Sequence, residues 1–251
     1  MTDVPGRYSL AAMEEREYVK MDAVEERMFF YRALHERMVS CLDRFAPTDA
    51  AVLDAGCGTG GLLVKLQRRR PSLRLSGLDV SEVACEMARR KTGLPIEQAS
   101  VDELPFGDEQ FDVIVASDVL CMLEDPSGAL GEFRRCLRPG GTLVVNLPAY
   151  EALRSYHDEA TDTKHRYTEG EFVPLLKRSG FATLFVTYWN TLLFPLAVLK
   201  RKLFPSRGSD VRLYPPLMDA VFGAVLELEA IPIRRGIRLP FGLSLLSVAR
   251  R

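Results

Sequence analysis

A glycine-rich turn between a short apolar run and a predicted helix restricts the fold of this chain more than any other segment. Ala51-Val-Leu-Asp54 predicts a buried strand, Gly56-Cys-Gly-Thr-Gly-Gly61 predicts a tight turn, and residues 62–70 predict a helix that Pro71 closes. Glycine lets the backbone turn sharply and approach a ligand with no Cβ in the way. The helix that follows offers free N–H groups to an anionic group. The segment therefore predicts the first βα unit of a nucleotide-binding fold.

Strands and helices continue to alternate after this unit. Strands are predicted over 73–79, 95–100, 111–116 and 142–147, with helices from Ser81 to about residue 91 and from 126 to 137. Thr168-Glu-Gly-Glu171 is a capping box, which predicts a helix ending at Gly180, and strands follow at 182–189 and 243–250. Regular alternation of this kind predicts an α/β fold with a doubly wound, mostly parallel sheet.

Two further segments flank or interrupt this pattern. Residues 1–48 predict a helical leader, with helix signals from Val24 to Phe45. Residues 190–240 predict a helical insertion before the last strand, with helices near 192–204 and 215–230. The Rossmann-like domain is then built from 49–189 and 241–251.

Composition excludes several classes of protein. The 251 residues are 47% hydrophobic and 27% charged, which is typical of a globular domain and not of a disordered chain. A net charge of −1 gives no support for nucleic acid as a partner, although residues 200–251 hold ten basic and four acidic side chains. The five cysteines form no CxxC pair, so we predict reduced thiols, no metal site and a cytoplasmic location.

The residues around the turn distinguish between two ligands. Asp79 lies 21 residues after Gly58, where a partner for ribose hydroxyls is expected. Gly56, Gly58 and Gly61 also fit the dinucleotide pattern G-x-G-x-x-G. Asp54, however, is unfavourable beside a pyrophosphate and favourable beside an ammonium group. S-adenosylmethionine carries such an ammonium, a positively charged sulfonium, and a carboxylate for the helix N-terminus.

With these motifs the chain resembles the class I S-adenosylmethionine-dependent methyltransferases. The matching segments are Val52-Leu-Asp-Ala-Gly-Cys-Gly-Thr-Gly60, Gly77-Leu-Asp-Val-Ser81, Leu104-Pro-Phe106, Phe111-Asp-Val-Ile-Val-Ala-Ser117 and Leu137-Arg-Pro-Gly-Gly141. The resemblance implies a seven-stranded sheet of order 3-2-1-4-5-7-6. It also implies that the methionine part, ribose, adenine and sulfonium of the cofactor contact a set of loop residues: Asp54, Gly56, Cys57, Gly58, Gly60, Asp79, Val80, Ser100, Val101, Asp102 and Ser117.

Two positions depart from the family pattern. The family usually has Asp where Ser100 stands, so the contact to the adenine amino group passes to Ser100, a backbone carbonyl or Asp102. A histidine that is common after the fourth strand is replaced by Met122, which removes one candidate base.

The acceptor side is predicted from the segment after the fifth strand. His157 and His165 are candidate general bases, because histidine titrates near neutrality. The segment resembles that of a bacterial methyltransferase subgroup with an HD…HRYT element, which adds Tyr167 as a catalytic or pocket residue. Further substrate contacts are predicted at six positions: Phe30, Tyr31, Met122, Tyr150, Tyr156 and Arg166. Alternatively, residues 165–167 anchor the following helix, and the leader aromatics are core.

The sequence leaves several functions open. We expect S-adenosylmethionine-dependent methylation of a small, partly apolar molecule at O, N or C. The alternatives are a non-catalytic module that binds S-adenosylmethionine and an NAD-dependent oxidoreductase. The insertion covers a substrate pocket, forms a homodimer contact, or rests on a membrane through the apolar and basic segment 192–204.

Overall fold

Seven strands form one sheet in the order β3-β2-β1-β4-β5-β7-β6 in the computed structural model, which describes residues 15–203 and 209–251. The strands are β1 Ala51–Ala55, β2 Arg74–Asp79, β3 Ile96–Gln98, β4 Phe111–Ser117, β5 Leu137–Pro148, β6 Ala182–Trp189 and β7 Ser244–Arg250. Strands β1 to β5 pair in parallel, whereas β7 runs antiparallel to both β5 and β6. The predicted fold class and strand order are confirmed.

Nine helices flank this sheet in the described residues. They are α1 Glu15–Val24, α2 Phe29–Phe45, α3 Gly61–Arg69, α4 Glu82–Thr92, α5 Ser127–Cys136, α6 Tyr156–Ala160, α7 Glu169–Arg178, α8 Phe194–Leu203 and α9 Pro216–Arg234. Ser81 Oγ accepts the backbone N–H of Ala84 at 3.3 Å, and Glu171 Oε2 accepts the N–H of Thr168 at 2.8 Å. The predicted start of α4 and the predicted capping box of α7 are therefore confirmed.

Both faces of the sheet are covered. Val113 and Val115 of β4 join a core with α2, α3, α4 and α9, whereas Ile114 and Ala116 join a core with α5 and α7. A strand buried on two faces must be apolar at nearly every position, which explains the unbroken hydrophobic run of β4.

Some predicted boundaries were wrong. The helix predicted from Val24 to Phe45 is two helices, because Met28 is extended and the first N–H of α2, that of Phe29, is donated to Asp219 Oδ1 at 2.7 Å. Strand β5 begins at Leu137, five residues early, because Leu137 pairs with Phe111. Helix α9 continues to Arg234, and α6 was not predicted. Residues 1–14 of the leader and residue 204 of the segment 192–204 lie outside the described residues.

The leader and the insertion pack on each other. Arg37 of α2 donates to the Leu226 carbonyl at 2.9 Å and forms a buried ion pair with Glu229 of α9 at 3.5 Å. The Glu229 carboxylate also accepts backbone N–H groups at the start of the insertion, including that of Thr191 at 2.7 Å. Helices α2 and α9 therefore form one layer over the sheet. Among the described helices, none has the length and apolar character needed to cross a membrane.

Candidate active site

The glycine loop lies at the carboxyl end of β1, where open α/β sheets bind ligands. Gly56, Gly58 and Gly60 have φ values of +80°, +52° and +87°, which favour glycine. The N–H groups of Gly56 and Cys57 both donate to the Leu78 carbonyl at 2.8 Å, so the loop is fixed against the end of β2. A Cβ at Gly56 would lie 2.8 Å from Val119, so the loop and the residues after β4 touch at this point.

Asp79 links the end of β2 to this loop. Its Oδ2 accepts the N–H of Gly58 at 2.9 Å, and its Oδ1 accepts the N–H of Ser81 at 3.0 Å and the hydroxyl of Tyr18 at 3.1 Å. Burial raises the pKa of Asp79, and these hydrogen bonds oppose the shift. The carboxylate therefore lies where the sequence predicts a hydroxyl-binding acid, with a hydroxyl from α1 already on it.

Asp54 is a buried acid at the end of β1. Its side chain is 3% exposed, and burial, together with the neighbouring carboxylates of Asp79 and Glu25, raises its pKa to about 7. A carboxylate in such surroundings is stabilised by any cation that enters. The crevice therefore attracts positive charge and repels a pyrophosphate.

Helix α1 and the turn after it cover the loop. Met21 Cε would lie 2.6 Å from a Cβ at Gly58. Glu25 lies beside Gly61 at the start of α3, accepts the Thr59 hydroxyl at 2.6 Å and pairs with Lys91. A carboxylate of the protein, that of Glu25, therefore lies beside the helix start where the sequence predicts the cofactor carboxylate.

The residues predicted on the adenine side lie at the ends of β2 and β3. Val101 and Ser100 are buried, Val80 is half-buried and Asp102 is exposed. Ser100 Oγ accepts the N–H of Asp102 at 3.2 Å, and the N–H of Ala99 donates to the Asp79 carbonyl at 3.0 Å. The structure therefore places these residues at the same edge as Asp79, and their contact with adenine stays a prediction.

A third acid follows the neighbouring strand β4. Asp118 has φ +57°, and its Oδ1 accepts the side-chain N–H of Asn146 at 2.9 Å. Asn146 Oδ1 accepts the indole N–H of Trp189 at 2.8 Å. Ser117 Oγ is buried with no hydrogen-bond partner among the described residues. Sequence reasoning selected Ser117 and missed Asp118, although Asp54 and Asp79 show that acids stand at the ends of the adjacent parallel strands.

Aromatic side chains form a wall beside this acid. Phe30 stacks on Trp189 with ring centroids 5.4 Å apart, and the Arg37 guanidinium carbon lies 4.3 Å from the centroid of the Trp189 ring. Tyr31 packs edge-on against Phe30. Burial and the charges of Glu25 and Asp118 raise the pKa of the Tyr31 phenol. The structure thus brings the predicted Phe30 and Tyr31 to the carboxyl end of the sheet.

The two candidate histidines are not brought together. His157 is half-buried, its pKa is lowered by burial, and its Nδ1 accepts the backbone N–H of Asp210 at 3.2 Å. His165 is exposed, and its ring centroid lies 6.1 Å from that of Tyr167. Tyr156 donates its hydroxyl to Asp210 Oδ1 at 2.9 Å. Of the two histidines, only His157 is thus fixed by the insertion.

The remaining predicted acceptor residues hold the segment after β5 in place. Arg166 forms a buried ion pair with Asp158 at 2.7 Å and donates to the Ala149 carbonyl at 3.0 Å. Tyr150 stacks on Tyr188 with centroids 5.2 Å apart. Two more residues predicted in the acceptor region are Tyr167, which is buried against Phe172, and Met122, which is half-buried in the short turn after β4. Their contact with a substrate stays a prediction.

Comparison with known proteins agrees with this geometry. Residues 53–145 match the family model described as a methyltransferase domain. A malonyl-[acyl-carrier protein] O-methyltransferase of Geobacter sulfurreducens is 29% identical over 67% of this chain and 67% of its own length. A 37.1 kDa protein in transposon TN4556 of Streptomyces fradiae is 37% identical over 55% of this chain and 46% of its own length. The chain spans about half the length of most curated relatives that it matches.

Among solved structures, the [4+2]-cyclase SpnF aligns with a TM-score of 0.66 over 100% of this chain and 99% of its own, at 19% identity. A likeness at that identity shows the fold alone. The sheet order and the glycine loop define a Rossmann-like cofactor-binding protein. The sheet order, and the match of residues 53–145 to a methyltransferase domain, agree with the predicted resemblance to the class I S-adenosylmethionine-dependent methyltransferases.

Proposed function

We propose that this protein binds S-adenosylmethionine in the crevice and transfers its methyl group to a small, partly apolar molecule at an O, N or C atom. The observation that carries the proposal is the pair of buried acids, Asp54 and Asp79, on either side of the glycine loop. The positively charged sulfonium and ammonium groups of the cofactor would be stabilised by these buried acids, and its ribose diol would donate to Asp79. A dinucleotide would bring two negative phosphates to the same place.

Different residues would bind different parts of the cofactor. Asp54 and the loop from Gly56 through Cys57 to Gly60 would hold the methionine part, and Asp79 would hold the ribose hydroxyls once Tyr18 moves away. Val80 and residues 100–102 would surround adenine, and Ser117 would lie near the sulfonium. Bound in this way, the cofactor supplies an activated methyl group. The protein would contribute orientation and exclusion of water, which can account for most of the rate of a two-reactant step.

The acceptor would lie between the aromatic wall and the segment after β5. Phe30 and Tyr31 supply apolar and aromatic surface, and the other predicted contacts are Met122, Tyr150, Tyr156 and Arg166. Tyr167 and a histidine base, His157 or His165, complete the predicted acceptor site. If one of these histidines is the base, its replacement in His157→Ala or His165→Ala slows turnover and leaves cofactor affinity unchanged. If both variants keep the full rate on a true acceptor, neither histidine is the base.

Calorimetric titration with S-adenosylhomocysteine, with NAD run in parallel, tests the cofactor. We expect saturable binding of S-adenosylhomocysteine and no binding of NAD. Binding of NAD alone would overturn the proposal and favour an oxidoreductase. A non-catalytic module would bind S-adenosylhomocysteine but release no label from methyl-labelled S-adenosylmethionine to any acceptor in a broad panel.

The insertion and the location of the protein belong to the same proposal. Leu192, Leu196 and Leu199 are exposed, and Lys200 and Arg201 follow them. Such a surface is compatible with three roles: it could cover a substrate pocket, form a homodimer contact or bind a membrane. Pelleting with anionic vesicles at low salt tests peripheral membrane contact through 192–204, and analytical ultracentrifugation tests the dimer. We propose a cytoplasmic location for the protein.

A further inference from the structure

Asp118 is held in a fixed position by two buried side chains. Its Oδ1 accepts from the Asn146 amide at 2.9 Å, and the Asn146 carbonyl oxygen accepts from the Trp189 indole at 2.8 Å. Asn146 and Trp189 are both 0% exposed. The backbone N–H of Asp118 also donates to the Asn146 carbonyl at 2.9 Å. One carboxylate oxygen is therefore tied to a locked amide, which fixes the direction of the other.

The other oxygen, Oδ2, receives no hydrogen bond from any residue in 15–203 or 209–251, and Asp118 is only half-buried. The next residue, Val119, is the one that Gly56 of the glycine loop approaches. The backbone of Asp118 has φ +57°, a left-handed conformation that costs free energy and persists only where the surrounding structure holds it in place. A strained, fixed carboxylate with one open oxygen beside the cofactor loop is an arrangement suited to chemistry at that oxygen.

We propose that Asp118 is the group that takes up the proton of the methyl acceptor, and that the acceptor is a neutral hydroxyl compound with an aromatic or apolar body. This inference rests on the proposed function. The aromatic wall of Phe30, Tyr31 and Trp189 supports the body of such a molecule. A carboxylate acceptor would enter a crevice that already holds Asp54, Asp79 and Asp118.

The step balances without any other reactant. When bound, S-adenosylmethionine supplies the methyl group: the acceptor oxygen bonds to the methyl carbon, and the carbon–sulfur bond breaks with its electron pair left on sulfur. Asp118 Oδ2 receives the hydroxyl proton and later releases it to water. General bases of this kind contribute about 100-fold or more to a rate.

The charges around Asp118 suit a base at neutral pH. Burial raises its pKa to about 7, and the Asn146 hydrogen bond and the charge of Arg166 oppose the shift. Two other titratable groups face it: the Cys121 thiol and the Tyr31 phenol, both with raised pKa values. By contrast, His157 Nδ1 already accepts the backbone N–H of Asp210 at 3.2 Å, so this nitrogen is not free to take a proton from an acceptor.

The only tryptophan of the chain provides a readout that needs neither cofactor nor acceptor. Because Trp189 is hydrogen-bonded to Asp118 through Asn146, the charge on Asp118 polarises the indole N–H. We expect the tryptophan emission of the free protein to change with a midpoint near pH 7. The change should be lost in Asp118→Asn and kept in Asp54→Asn, the matched control at the other buried acid. Asparagine also tolerates positive φ, so Asp118→Asn preserves the backbone.

Turnover completes the test. With methyl-labelled S-adenosylmethionine, we expect transfer to 4-methylphenol and other phenols but not to the matching benzoates, and a kcat about 100-fold lower in Asp118→Asn with S-adenosylhomocysteine affinity within twofold of wild type. An emission change that persists in Asp118→Asn, or full turnover by that variant, would overturn the proposal. Failure of the wild type to bind S-adenosylhomocysteine would instead remove the proposed function, while the emission titration would still report on Asp118.

Discussion

The proposed cofactor side and the proposed acceptor side of the crevice are built in different ways. The cofactor side comes from consecutive βα units, with Asp54, the glycine loop and Asp79 within 26 residues of each other. The acceptor side joins distant parts of the chain: Phe30 of the leader, Asp118 after β4, Asn146 of β5 and Trp189 of β6. The first is specified by local backbone geometry, and the second by tertiary contacts. Mutations should therefore affect the two sides differently.

The largest effect is expected for the buried ion pair of the acceptor side. Arg166→Met leaves Asp158 buried at 1% exposure without its partner, which should lower the free energy of unfolding by about 3–5 kcal/mol. Urea denaturation measures the change. Lys164→Met, which breaks a partly exposed pair with Asp162 in the same segment, should cost about 1 kcal/mol or less. If the free energy of unfolding fell equally in the two variants, the buried Arg166–Asp158 pair would not be what stabilises the proposed acceptor side.

A smaller effect is expected on the proposed cofactor side, where the mutation should change ligand affinity. Asp79→Ala removes a charged acceptor of several hydrogen bonds, and each such bond contributes about 1.5–3 kcal/mol. We expect S-adenosylhomocysteine affinity to fall by about 10- to 100-fold in calorimetry. Asp102→Ala, an exposed acid on the adenine side, should lose much less. An unchanged Kd for Asp79→Ala would remove Asp79 from the site.

The pH dependence should separate the two sides further. Since burial raises the pKa of Asp54 to about 7, a cationic ligand meets the ionised carboxylate in about a tenth of the molecules at pH 6 and in about nine tenths at pH 8. Cofactor affinity should therefore rise about tenfold over this range, and less in Asp54→Asn. Without cofactor, the stability of the fold changes with pH in the opposite direction. Because folded Asp54 binds its proton more tightly than unfolded Asp54, the contribution of this group to the free energy of unfolding falls as the pH rises from about 4 to 7.

The smallest effect is expected for a purely local contact. Ser81→Ala removes the side-chain cap of α4, which should lower the free energy of unfolding by about 1 kcal/mol. Cofactor affinity should change little, because the backbone N–H at position 81 still donates to Asp79 in the variant. Thermal unfolding with and without S-adenosylhomocysteine measures both effects. A large loss of affinity with no loss of stability would place the Ser81 hydroxyl in the site.

The same contrast explains how much the sequence could predict. The α/β alternation, the glycine loop and Asp79 follow from turns, caps and apolar runs that are read within a few residues, and the strand order came from the family resemblance. Asp118 and Trp189 were missed because their connection through Asn146 exists only after β4, β5 and β6 are aligned. The break at Met28 was missed for the same reason, since Asp219, 190 residues away in sequence from Phe29, caps α2.

The hydrogen bond from Tyr18 to Asp79 has a kinetic consequence. If α1 must leave before ribose reaches Asp79, the observed association rate should level off at high ligand concentration, at the rate at which the helix departs. The apparent affinity is also reduced by the fraction of molecules that are closed. Tyr18→Phe, which deletes only the hydroxyl, should raise both the plateau rate and the affinity in stopped-flow measurements. The first helix of the described chain would then set how fast the protein is loaded.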